Sequence, residues 1–235
     1  MLEACKAKCP GPSKCPYVGT PIFGSNPPQL IRCPVYERWR KQAALEHEIR
    51  NVVPENLAEK NFENFLIRSP TSGKALQLMK KYTESEAWKE GANILLTGTY
   101  GVGKTHLATA TIRKAIEAGS TAALILAVDL IQGNFEEINN RFEKLQKVDL
   151  LVIDDLTTEF ENKYFLQQIF RLLEHRYRRK KGTVFTTNLP VREFVKGIGD
   201  KIFSRLYENL LVIEIKDSDY RKELRRKKLE WFKNS

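Results

Sequence analysis

Five apolar runs, none longer than seven residues, stand out from an otherwise mixed chain at 93–97, 122–128, 150–153, 183–187 and 211–215. They do not alternate apolar with polar, so each reads as a strand covered on both faces. The segments between them carry a longer period. In 135–147 the residues Phe135, Ile138, Phe142 and Leu145 recur at spacings of three and four, which predicts a helix with one buried face. Helices are also predicted over 106–118, 163–181, 191–196 and 200–208, and at 35–50 and 74–85 ahead of the first strand. Strands alternating with helices predict an α/β fold with a parallel five-stranded sheet and flanking helices. Val52-Val53-Pro54 marks a linker, which divides a small module at 1–50 from a main domain at 51–235.

The first strand runs straight into Gly98, Thr99, Tyr100, Gly101, Val102, Gly103, Lys104 and Thr105. This is a complete G-x-x-x-x-G-K-T phosphate loop, and His106 continues into a helix, which is the context the motif needs. The glycines let backbone N–H groups turn inward around phosphate oxygens, and the helix N-terminus adds partial positive charge. Residues 98–106 are therefore the expected ATP-binding set, with Lys104 on the outer phosphates and Thr105 on Mg²⁺. The third strand ends in Asp154-Asp155. Acids at the C-terminal edge of such a sheet face the phosphates. Asp154 is expected to hold Mg²⁺, and Asp155 to orient or deprotonate an attacking water. The fourth strand ends at Asn188, whose amide can position water against the γ-phosphate.

Charge and cysteine change the picture further. The formal net charge is +10, which favours polyanionic partners and nucleic acid first. One cluster is Arg171, Arg176, Arg178, Arg179, Lys180 and Lys181; a second, in the tail, is Arg221, Lys222, Arg225, Arg226, Lys227 and Lys228. All four cysteines, Cys5, Cys9, Cys15 and Cys33, fall in the first 33 residues. In a reducing compartment such a cluster reads as a metal site, for zinc or alternatively an iron–sulfur cluster. A metal would stabilise a segment too poor in apolar residues to fold alone. No run approaches a membrane span, and Met1 begins no signal-peptide core, so a soluble cytoplasmic protein without a membrane partner is expected.

The ordered set of phosphate loop, Asp154-Asp155 and Asn188 resembles the AAA+ ATPases. More closely, the chain is similar over 50–225 to bacterial replicative helicase loaders of the DnaC/DnaI type and to the related transposition helpers of the IstB type. The residues behind this are Asn61-Phe62-Glu63-Asn64-Phe65, the doubled Asp, Thr186-Thr187-Asn188-Leu189, Ser204-Arg205-Leu206 and Asp219-Tyr220-Arg221. The resemblance implies an ATP-dependent loader that binds a replicative helicase hexamer and single-stranded DNA. It also implies self-association through the nucleotide interface, with Arg205 as a finger on the neighbouring subunit's nucleotide. Arg205 could instead pair with Glu208. Arg221 matches a second phosphate-sensing arginine, or else contacts DNA; Phe62 and Phe65 would lie near the adenine. The family's usual Asp-Glu is Asp-Asp here, which predicts slow hydrolysis. Only 47 residues follow Asn188, too few for a large helical lid. A transposition helper and a nucleotide-gated DNA-binding scaffold with negligible turnover are the competing readings.

Overall fold

The structure, a computed structural model, describes residues 22–23, 30–31 and 34–234. The chain divides into two units, Met1–Asn51 and Val52–Ser235. In the first, β1 (Ile22–Phe23) pairs antiparallel with β2 (Leu30–Ile31), and α1 (Pro34–Val52) follows.

The second unit opens with a 3₁₀ turn, Glu55–Leu57, and α2 (Pro70–Glu84), and then alternates. It contains β3 (Asn93–Gly98), α3 (Lys104–Glu117), β4 (Ala122–Leu126), α4 (Phe135–Lys147) and β5 (Leu150–Asp154). Next come α5 (Lys163–Arg178), β6 (Thr183–Thr187), α6 (Val191–Ile198), α7 (Asp200–Tyr207), β7 (Leu210–Ile215) and α8 (Tyr220–Asn234). The sheet order is β4-β5-β6-β3-β7, parallel throughout.

Strand periodicity assigns the two faces. Leu95, Leu151, Ile153 and Phe185 enter one core with Ile138, Phe142, Phe165, Ile169, Leu172 and Phe194, which come from α4, α5 and α6. Their neighbours Ile94, Leu96, Val152 and Val184 are equally buried but point to the opposite face, where α3 brings Leu107, Ala108 and Ile112. Right-handed crossovers explain the split. The β3-to-β4 connection travels one way along the sheet and the later connections return, so their helices cover opposite faces. This reversal places the crevice at the C-terminal ends of β3, β5 and β6.

Several element ends differ from expectation. The run at 122–128 is strand only to Leu126, which pairs with Asp154 at the last position of β5. With no partner strand beyond, Ala127–Ile131 turns into a 3₁₀ helix. The helix expected at 74 begins at Pro70, because Ser69 caps it in a reciprocal box with Ser72. Phe135 is not on the buried face of α4. It lies in the first turn and is 72% exposed, while Ile138, Phe142 and Leu145 are buried. The basic tail is helical, as α8. Finally, Arg176 is not a surface cation. It is buried, and its guanidinium donates to the carbonyls of Leu145, Val148, Asp149 and Gly182 and to Thr183 Oγ1 at 2.5–3.2 Å.

Candidate nucleotide site

The crevice gathers the expected residues. Gly101 and Gly103 have φ of 71° and 98°, the left-handed region that disfavours side chains. A Cβ on Gly103 would stand 2.6 Å from the ring of Phe65, and one on Gly101 would overlap the Asp219 carboxylate. The loop therefore has to be glycine both to turn and to let two other segments approach. Val102 is buried beneath the loop and Tyr100 stands 63% exposed on it.

Lys104 is 7% exposed, and its Nζ donates at 2.7 Å to Gly98 O, Thr99 O and Asn188 Oδ1. Burial lowers its pKa to about 8; the charge of Arg221 adds to the drop, while Asp155 and Asp154 oppose it. The other half of the Asn188 amide donates to Asp155 Oδ1 at 2.7 Å. One side chain thus links the loop lysine to the second acid. Asp155 itself has φ 57°, a left-handed conformation that Asp tolerates better than most residues. Thr186 Oγ1 accepts from Asp155 N at 2.8 Å and fixes this turn.

Thr105 Oγ1 donates to Asp154 at 2.9 and 3.1 Å, and Thr186 Oγ1 donates to it at 2.6 Å. Burial raises the Asp154 pKa, and the bonds from Thr186 and Thr105 act against that rise. A hydroxyl and a carboxylate side by side are the hard oxygen donors that Mg²⁺ takes beside phosphate, so these residues fit that ion. In the sequence Thr186 counts only as part of Thr186-Thr187-Asn188-Leu189, with no role of its own. Its position two residues before Asn188, on the strand beside the acids, was the available signal.

His106 packs on the segment that carries Asn61 and Phe65. Its Nε2 lies 2.8 Å from Asn61 O, its ring meets Phe65 edge-on, and burial lowers its pKa. Phe62 and Phe65 are both buried. Arg205 is not paired with Glu208, whose carboxylate accepts from Tyr177. It bonds instead to Glu174 on α5, donates to Lys201 O at 2.7 Å and stacks over Phe170. The four cysteines expected to bind metal, Cys5, Cys9, Cys15 and Cys33, lie outside the described residues. Among the described residues no cluster of His, Cys, Asp or Glu could hold a metal ion, and no helix is long and apolar enough to cross a membrane.

The family model for IstB-like ATP binding proteins matches residues 36–228. The chain belongs to the IstB-like ATP-binding family. Among its curated relatives is the replicative helicase loader DnaC of Escherichia coli K12, 28% identical over 153 residues; the match covers 62% of this IstB-like chain and 62% of DnaC. An insertion-sequence ATP-binding protein of Sinorhizobium fredii is 28% identical over 201 residues, covering 77% of this chain and 67% of that protein. Among solved structures, a crystal structure of the DnaC helicase loader superposes with a TM-score of 0.62 at 23% identity, over 69% of this chain and 99% of that one. AMPPCP-bound DnaA from Aquifex aeolicus gives 0.60 at 24% identity, over 74% and 56%. The IstB-like chain thus has the P-loop AAA+ fold that the sequence predicted, with α8 as the one helix described after β7.

Proposed function

We propose that this protein is a slow, Mg²⁺-dependent ATPase that loads the replicative DNA helicase. The observation that carries the ATPase reading is the continuous link Lys104–Asn188–Asp155, flanked by the Thr105–Asp154 pair. Lys104 would hold the outer phosphates, and Thr105 with Asp154 would hold Mg²⁺. Asp155 and Asn188 would orient water on the outer phosphate. Arg221, in the first turn of α8 where Tyr220 N bonds to Gly101 O of the loop, adds a second cation at that end. Arg205 would act on a neighbouring subunit's nucleotide after release from Glu174, where a guanidinium neutralises charge on the transferred group. Self-association through the nucleotide interface follows from that role.

The DnaC relatives support the loader role, and the charge of +10 supports single-stranded DNA as a second ligand. The surface cations for DNA are Arg178, Arg179 and Lys180, with Arg221, Lys222, Arg225, Arg226 and Lys228 as the other candidate, since Arg176 is buried and Lys181 is paired with Asp149. Residues 1–50 are assigned to the helicase, with their cysteines holding zinc or an iron–sulfur cluster. The second reading, a transposition helper, is favoured by the longer coverage of the insertion-sequence relative. Co-elution with the replicative helicase of the same host, in ATP, decides between them. A complex that is lost on deleting residues 1–50 supports the loader; no complex at any nucleotide state overturns it.

A further inference from the structure

A strap of chain crosses the phosphate loop just after β7, and one arginine far away in sequence ties it down. Tyr220 N donates to Gly101 O at 3.2 Å, and Thr99 Oγ1 donates to Asp217 O at 3.4 Å. The Asp219 carboxylate fills the space above Gly101 and accepts from Arg221 N at 2.9 Å, which caps α8 at its first turn. The strap is thus bonded to the loop on one side. On the other side stands Arg68. Its Nη1 donates to Ser218 O at 3.0 Å, and its Nη2 donates to Ser218 Oγ at 2.8 Å and Glu223 Oε2 at 2.9 Å. Its guanidinium also lies over the Tyr220 ring, 5.2 Å from the centroid. Thr71 adds two bonds, donating to Lys216 O and accepting from Lys216 N, each at 2.9 Å.

We infer that Arg68 is a positioning residue for nucleotide binding: it fixes the start of α8 so that Arg221 stands at the phosphate end of the loop. This rests on the reading of 98–105 as the phosphate site. Arg68 cannot itself be the phosphate ligand, because its guanidinium is committed to Ser218, Glu223 and Tyr220. Arg221 is the converse case. Its backbone is pinned by Asp219 and by the neighbouring Tyr220–Gly101 bond, while its guanidinium has no ion pair among the described residues. Cations brought to one phosphate site repel each other until a polyanion joins them. The Arg68 clamp holds that repulsive arrangement in place, so the cost is met during folding rather than at binding. The same peptide carries Phe65 against Gly103 of the loop, three residues before Arg68, so both contacts set the loop and the strap relative to each other.

The test is a double-mutant cycle on MgATP and MgADP affinity in the full-length protein. Arg221→Ala should weaken ATP about tenfold, the loss of one charge-assisted contact, and ADP much less. Arg68→Ala should reproduce that pattern with Arg221 intact. The double variant should be no weaker than either single one, because Arg68 works through Arg221. Glu223→Gln should give a smaller loss of the same ATP-over-ADP type, and it decides the matter if Arg68→Ala does not fold. Arg68→Lys should not rescue, since an ammonium cannot span Ser218 and Glu223 with a planar fork. Additive losses, or equal losses for ATP and ADP, overturn the inference and leave Arg68 a merely structural residue. Lys104→Ala is the separate control: if it binds both nucleotides normally, the phosphate-site reading itself fails.

Discussion

Nucleotide binding should draw protons from solution at mildly alkaline pH. The perturbation is the ionisation of Lys104, held at about 8 by burial against an ordinary value of 10.5. At pH 8.5 about three quarters of empty sites then carry a neutral lysine, against about one tenth at pH 7. A triphosphate at the loop requires the ammonium form. Binding should therefore take up about 0.75 proton per site at pH 8.5 and about 0.1 at pH 7. Apparent affinity for ATP should fall roughly tenfold from pH 7 to pH 9, as the lysine must first be charged. The folded pKa lies below the unfolded one, so the native state binds fewer protons between about 8 and 10.5. The empty protein gains stability as pH rises through that window, and nucleotide loses its advantage there. Calorimetric titration in buffers of different ionisation heat reads the proton count directly. A binding enthalpy independent of buffer at pH 8.5 would refute the reasoning. So would an equal dependence in Lys104→Arg, whose side chain stays charged.

Asp155→Asn should keep MgATP affinity within about threefold and lose turnover, which single-turnover hydrolysis can measure against equilibrium binding. Arg205→Ala should bind ATP normally and fail to hydrolyse it. Mixing it with Lys104→Ala protein should restore part of the activity, and no recovery at any ratio counts against a finger supplied by a neighbour. Neutralising Arg178, Arg179 and Lys180 should flatten the salt dependence of single-stranded DNA binding by about 2 units of log–log slope. Arg176→Ala should leave that slope alone and instead destabilise the fold by about 3 kcal/mol in urea, through the acceptors it orphans. Elemental analysis of protein prepared anaerobically without chelators should find about one zinc per chain, or iron with visible absorption; neither metal would end the proposal of a metal-bearing module.

The sheet was legible because parallel strands buried on both faces leave contiguous apolar runs, and the loop was legible because its ligands are contiguous too. Elements were misjudged where neighbours decide. Leu126 is the last strand residue only because Asp154 ends the partner strand. Arg176 stands in a run of cations, yet it continues the Ile169, Leu172, Leu173 stripe at helical spacing and so belongs to the buried face. Contacts between distant positions left no local signal. Arg68 meets Ser218 and Glu223, and Arg205 meets Glu174 rather than the nearer Glu208. Each pairing depends on which helices the sheet order brings together.

Arg176 also bears on the order of events during folding. Its five acceptors come from the end of α4, the turn into β5 and the start of β6. The bonds to Gly182 and Thr183 are local, but those to Leu145, Val148 and Asp149 cannot form until the end of α4 and the turn into β5 have met α5. Its stabilisation should therefore arrive after the rate-limiting step, so its removal speeds unfolding far more than it slows folding. The end of the sheet opposite the nucleotide would then help set how long the native state lasts.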